Sequence, residues 1–218
     1  MSSEVEIVKI AAIVLALMIA IIGHEIMHGW VAYRYGDVTA KAAGRLSINP
    51  IVHVDPIGTI LVPALLYISG APFLFGWAKP VPVNITTVIR NGGYKGAVAV
   101  ALAGVTWNFV LAGVSALLFN AFFTPQPQSL IGAFALLFLM YSVIYNIVLG
   151  VFNLWPFPPL DGANALRYLA MEYRWKSVID LLNKIEPVGM VLLIVVIATP
   201  LADWFFLPAK WLINLFLG

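Results

Sequence analysis

Residues 7–28 read IVKIAAIVLALMIAIIGHEIMH, an apolar run that ends in two histidines and a glutamate. At ~1.5 Å per residue, the stretch from Ile7 to Gly23 comes close to crossing a ~30 Å hydrocarbon core. Comparable runs occur at Gly96–Ala121 and Leu130–Leu149. Of the 218 residues, 62% are hydrophobic and 10% charged, where ordinary soluble domains carry about half and about a quarter. Mean hydropathy is +0.97. A water-soluble fold this apolar would have no polar surface left to expose. The sequence predicts an all-α polytopic membrane protein.

Working outward, the first helix is expected to continue through His24, His28 and Tyr33 and to end at Gly36-Asp37. Residues 37–56 carry turn formers and two basic residues, and the stretch 38–48 predicts a small membrane-associated β-hairpin or an irregular loop. Residues 57–77 are apolar but broken by Pro63, Gly70, Pro72 and Gly76. A polar loop is expected over 78–95, with a turn at Asn91-Gly92-Gly93. Spans follow at about 96–120 and 129–152, joined by the uncharged TPQPQS turn. Beyond them come an amphipathic helix over 161–182, a span from Pro187 to Thr199, and an interfacial run over 204–218. The expectation is one domain over 1–218, with about five to six transmembrane or re-entrant helical segments. No cleavable signal peptide is expected, because the first run lacks a basic flank and a small-residue cleavage site.

The net charge of +2 follows membrane topology, so no nucleic-acid footprint is read from it. Ten of the twelve Lys and Arg fall in 34–45, 79–95 and 167–184. By the positive-inside rule these segments face the cytoplasm. Segment 57–77 must then enter and leave on one side, unless it is an ordinary Pro-kinked span. Its prolines and glycines suit a re-entrant loop, since irregular backbone at membrane depth survives only inside protein or beside a water cavity. Cysteine is absent, which excludes disulfides and thiolate metal sites.

His24-Glu25-Ile26-Met27-His28 has the spacing H-E-x-x-H. Residues four apart share a helix face, so both imidazoles can reach one Zn²⁺ at roughly 2.0–2.1 Å. Glu25 can take a proton from an attacking water. Ionisable residues at membrane depth are costly and are functional by default. A site needs a third ligand, and the candidates are His53, Asp55, Asp161 or another carboxylate. Asp161 ends Asn153-Leu-Trp-Pro-Phe-Pro-Pro-Leu-Asp161, where three prolines force extended chain. Two crossings between His28 and Asp161 would return it to the histidines' side. By itself, PPLDG equally suits a turn whose Asp161 caps the next helix.

HEIMH, AGVTWN (103–108) and NLWPFPPLDG (153–162) together resemble the site-2 proteases, intramembrane zinc metalloproteases that cleave transmembrane helices. AGRLSINPIVHVDPIGT (43–59) and FGWAKPVPVN (75–84) are similar to the compact subgroup without a PDZ domain. The resemblance covers about residues 15–170. It implies one Zn²⁺ per chain, held by His24, His28 and Asp161, with Glu25 as catalytic base. It also puts family asparagines at Asn108 and Asn153. Val105 stands where the family usually has Pro, and Ala163 where a second Gly is common; neither removes a catalytic group.

The expected reaction is hydrolysis of a peptide bond within or near a transmembrane segment of a membrane-protein substrate. Asn108 is a candidate oxyanion donor, substrate anchor or helix–helix bond. Asn153 is a candidate clamp on unwound substrate, or a cap on its own loop. His53 could be an extra ligand, a transition-state donor or a loop histidine. The hairpin over 38–48 would offer an edge strand to extended substrate. The expected location is a multi-pass position in the cell membrane, with the active site opening towards the cytoplasm and contact with lipid on all sides. Two rivals are a metal-ion transporter and an inactive scaffold. Transport favours polar residues along several spans, and here 96–120 and 129–152 offer little beyond Asn108 and Asn146. The intact Glu25 argues against a scaffold.

Overall fold

The computed structural model describes residues 3–70, 76–123 and 129–218. Helix α1 (Ser3–Arg34) carries the H-E-x-x-H segment near its C-terminal end. After a single turn, α2 (Thr39–Ala42), the chain makes a 3-10 turn at Pro50–His53 and a π-type turn at Pro56–Leu61. The π turn leads into α3 (Val62–Ile68). Then come α4 (Ile85–Ala101), α5 (Ala103–Phe122), α6 (Leu130–Leu154), α7 (Asp161–Glu172) and α8 (Lys176–Ala198). Two short helices, α9 (Leu201–Phe205) and α10 (Leu207–Leu217), finish the chain.

Among the described residues, four helices, α1, α5, α6 and α8, are long and apolar enough to cross a membrane. With two or more such helices, the protein is multi-pass. The expected number of five to six crossing or re-entrant segments is not established: Pro56–Ile68 and Leu207–Leu217 are apolar but shorter. The most extensive packing is that of α6 on α5 and on α1. Ala12, Ala16 and Ala20 repeat every fourth residue on α1 and are buried, whereas Ile7, Ile10 and Val14 are exposed. Small residues let helix backbones approach where the lipid gives no hydrophobic drive to associate. Ala112 and Ala116 of α5, Val143 and Ile147 of α6, and Ala209 of α10 form the main apolar cluster.

Several expectations are corrected. Among the described residues there is no strand, so the β-hairpin over 38–48 is not present. Instead, the buried Asp37 carboxylate accepts from the Thr39 backbone N–H (2.9 Å) and from Asn84 N–H (2.6 Å), which starts α2 and ties it to α4. The polar loop expected over 78–95 is helical from Ile85, with a break at Gly93, where φ is 63° and glycine is favoured. The span expected over 96–120 is divided at Leu102 between α4 and α5. The helix expected over 161–182 breaks after Glu172, with Arg174 at φ 58°, and α8 runs unbroken through Pro187. The TPQPQS turn lies outside the described residues apart from Ser129, whose hydroxyl caps α6 through Gly132 N–H (3.0 Å).

The ends of the 57–77 segment meet. Trp77 N–H donates to the Gly58 carbonyl (3.1 Å) and the Thr59 hydroxyl to the Trp77 carbonyl (2.8 Å). Beyond it, extended chain crosses the end of the bundle beside α1. Lys79 N–H donates to the His53 carbonyl (2.9 Å), and Arg45 Nη2 to the Lys79 carbonyl (2.5 Å). This strap borders the site.

Candidate metal centre

One helical turn separates His24 and His28 on α1. The His28 Nδ1 donates to the Val100 carbonyl at the end of α4 (2.7 Å). A carbonyl can only accept, so Nδ1 carries the proton and Nε2 is bare. His24 is fixed in the same sense by a longer chain. The Asn108 amide nitrogen donates to the Ala20 carbonyl (3.2 Å) and to Asn146 Oδ1 (2.9 Å). Its oxygen therefore faces the ring and accepts from His24 Nδ1 (2.7 Å). Asn146 in turn donates to the Ser142 carbonyl (2.8 Å), and Ser142 and Ser115 share a hydroxyl bond (2.9 Å). All four of these residues are buried among α1, α5 and α6.

Asp161 enters from the other side as the first residue of α7. The PFPPL segment turns the chain back over the end of α6, and position 162 must lack a side chain, because a Cβ there would collide with the Leu154 carbonyl. Asp161 Oδ2 lies 3.0 Å from His24 Nε2 and 3.3 Å from His28 Nε2, and the two Nε2 atoms are 3.1 Å apart.

Three electron-pair donors thus converge, with the imidazole protons directed elsewhere. Neutral tautomers of this kind repel one another unless a cation lies between them. A tetrahedral Zn²⁺ with bonds of roughly 2.0–2.1 Å sets its ligands about 3.3 Å apart, close to the three separations. The group His24, His28 and Asp161 is a donor set for a divalent metal ion. The site allows no slack on the α5 side: a Cβ at Gly104 would lie 2.6 Å from the His24 ring.

A cavity of about 1090 Å³ opens in front of these groups and is also lined by Glu25, His53 and Asn153. Glu25 Oε2 accepts from Val81 N–H in the strap (2.9 Å). His53 is buried and stands outside the three-ligand group. Its Nε2 donates to the Ser47 carbonyl (2.8 Å), and its Nδ1 meets no partner among the described residues. Asn153 Nδ2 donates to the Leu149 carbonyl (3.1 Å) on its own helix. Asn108 is wholly buried behind His24 and does not line the cavity, so its geometry is that of a histidine-orienting residue rather than an oxyanion donor. Asp55 caps the π turn through the Ile57 and Gly58 amides and is not in the group.

Sequence reading named Asn146 only as a polar residue of its span, and missed Asn164, Tyr168 and the Val81 amide. The offsets of three and seven residues from Asp161 could have revealed Asn164 and Tyr168. The Glu25–Val81 contact has no local signal.

A membrane helix bundle that folds two histidines and a distant carboxylate into one pocket is built as a metallopeptidase site, and comparison with known proteins gives its family. Residues 124–196 match the model of peptidase family M50. YwhC of Bacillus subtilis (strain 168) is 34% identical over 199 residues, covering 90% of this chain and 84% of YwhC. Rip2 of Mycolicibacterium smegmatis is 29% identical over 198 residues (86% and 67% coverage), and Rip2 of Mycobacterium tuberculosis (strain H37Rv) is 30% identical over 194 (88% and 69%). All three carry the name of zinc metalloprotease. No solved structure matches the chain. The chain belongs to peptidase family M50, the site-2 proteases.

Proposed function

We propose that this chain hydrolyses peptide bonds within or near transmembrane segments of membrane-protein substrates, with Zn²⁺ held by His24, His28 and Asp161. The observation that carries the reading is the convergence of two bare Nε2 atoms and one carboxylate oxygen within 3.0–3.3 Å of one another. The family, and relatives named zinc metalloproteases, support the same assignment. When bound, Zn²⁺ supplies a Lewis acid that polarises the scissile carbonyl and lowers the pKa of water from 15.7 towards ~7.

The chain's own residues do the rest. Glu25, next to His24 and on the cavity wall, takes the proton of the attacking water and passes it to the leaving amine. Val81 N–H holds its other oxygen in place. Asn108 and the Val100 carbonyl keep both imidazoles in the ligating tautomer. Asn153, on the cavity wall, meets the unwound substrate. The four crossing helices and the cluster of basic residues at 34–45, 79–95 and 167–184 favour a cytoplasmic opening, with 57–77 re-entrant.

The test is incubation of the detergent-purified chain with a single-span model substrate, with and without a zinc chelator. Cleavage is expected only without chelator, and Glu25→Gln should lose about 10²–10⁴-fold in rate while retaining one zinc per chain. Chelator-insensitive cleavage, or full activity in the variant, would overturn the assignment.

A further inference from the structure

Resting on the protease reading above, we infer that Asn164 grips the substrate backbone next to the bond to be cut, and that Tyr168 meets the substrate further along.

Helix α7 begins at Asp161, so its register is set by the metal centre itself. Residues three and seven positions on lie on the same face, and Asp161, Asn164 and Tyr168 all line the cavity. Most other polar side chains on the wall hold a partner, although the His53 Nδ1 has none among the described residues. Thr59 donates to the Trp77 carbonyl and accepts from Asp55 N–H, His53 Nε2 donates to Ser47, Asn153 Nδ2 to Leu149, and Glu25 accepts from Val81. The Asn164 side chain is half-buried and bonds to no described residue, and neither does the Tyr168 hydroxyl.

An extended peptide brought into this site needs partners for its own N–H and C=O groups, each costly to leave unpaired. The metal site and Glu25 serve the scissile carbonyl and its water, and Asn153 meets substrate from the α6 side, which leaves the peptide unit beside α7 unserved. A free carboxamide offers one acceptor and two donors, the complement of a single peptide unit. For a substrate strand laid along α7, spacing gives which unit that is. Asn164 lies about 4.5 Å along α7 from Asp161, and extended chain advances about 3.3 Å per residue. The contact therefore falls roughly one residue from the scissile carbonyl. Tyr168, at about 10.5 Å, falls roughly three residues away. Met190 and Leu193 on α8 add apolar wall to the same cavity, and the ring helps select the substrate side chain at that position.

The test uses the full chain in detergent with a Lys-flanked Leu/Ala single-span peptide carrying a central Gly-Pro, its cut site mapped by mass spectrometry. Asn164→Ala should raise KM about tenfold, the loss of one hydrogen bond, with kcat within about twofold and with zinc content and Tm unchanged. N-methylation of the peptide nitrogen next to the cut should cost the wild type similarly and the variant little. In a Glu25→Gln background, Asn164→Cys should form a disulfide with a substrate cysteine placed one residue from the cut, and Tyr168→Cys with one about three residues away. An unchanged KM, or crosslinks mapping elsewhere, overturns the subsite. A loss of zinc or Tm in Asn164→Ala reduces it to a structural role and also overturns it. Zinc-loaded wild type that cuts nothing refutes the protease reading instead.

Discussion

His24 and Asn108 meet at 2.7 Å in the middle of the bundle, and the asparagine decides which imidazole nitrogen faces the metal cavity. Asn108→Ala frees the ring to adopt the other tautomer or to rotate. Outer-shell partners of this kind are worth about 10–100-fold in metal affinity. That loss is expected in competition with a chromophoric chelator. The bundle itself should remain folded, since hydrogen bonds between membrane helices contribute on average ~0.6 kcal/mol and at most about 1.7.

Gly104→Ala should be more severe at the site than its chemistry suggests. The added methyl would lie 2.6 Å from the His24 ring, so either the ring or α5 must shift. Zinc content after dialysis is expected to fall well below one per chain. Gly113→Ala on the same helix meets nothing within 4 Å and should keep its zinc. Equal zinc content in the two variants would show that the contact is slack.

Asp161→Ala removes one of three ligands and should leave the purified protein largely metal-free. His53→Ala should retain most of its zinc, because His53 stands outside the ligand group. Metal analysis of the two proteins side by side decides the coordination set. If the His53 variant is the one that empties, the three-ligand assignment is wrong.

Topology is open to a clean test because the chain contains no cysteine. Single substitutions at Lys41, Arg90 and Ser129 place a thiol at three exposed positions. An impermeant thiol reagent applied outside intact cells should label position 129 and spare 41 and 90. Labelling of 90 without 41 would make 57–77 a full crossing and contradict the paired ends at Gly58 and Trp77.

Much of the centre was legible because its signals are local. H-E-x-x-H fixes two ligands on one helix face, and the proline-rich run before Asp161 marks where a membrane helix must stop. That the Asp161 carboxylate joins the histidines came from the resemblance to the site-2 proteases, since PPLDG by itself equally suited a helix cap. What failed depended on contacts distant in sequence. The one-turn α2 is held by Asp37 to Asn84 across 47 positions, so the composition of 38–48 alone suggested a hairpin. The polar sequence from Ile85 to Lys95 looks like loop, yet Val88 and Val100 on α4 pack on Ala32 of α1 and keep it helical. For Asn108 the helix–helix bond weighed from sequence is present, to Ala20 of α1 and Asn146 of α6; its hold on the His24 ring was not foreseen, because the Asn146 partner that orients its amide lies 38 residues away.

The polar thread from His24 through Asn108, Asn146 and Ser142 to Ser115 has a bearing on how the enzyme is made. Every bond along it is between protein atoms, so the rotation of α5 and α6 against α1 is set by the polypeptide alone. Insertion and helix assembly can finish in the membrane before any ion arrives. The thread therefore acts as a keel for the bundle, fixing how the helices are turned independently of the ligand atoms.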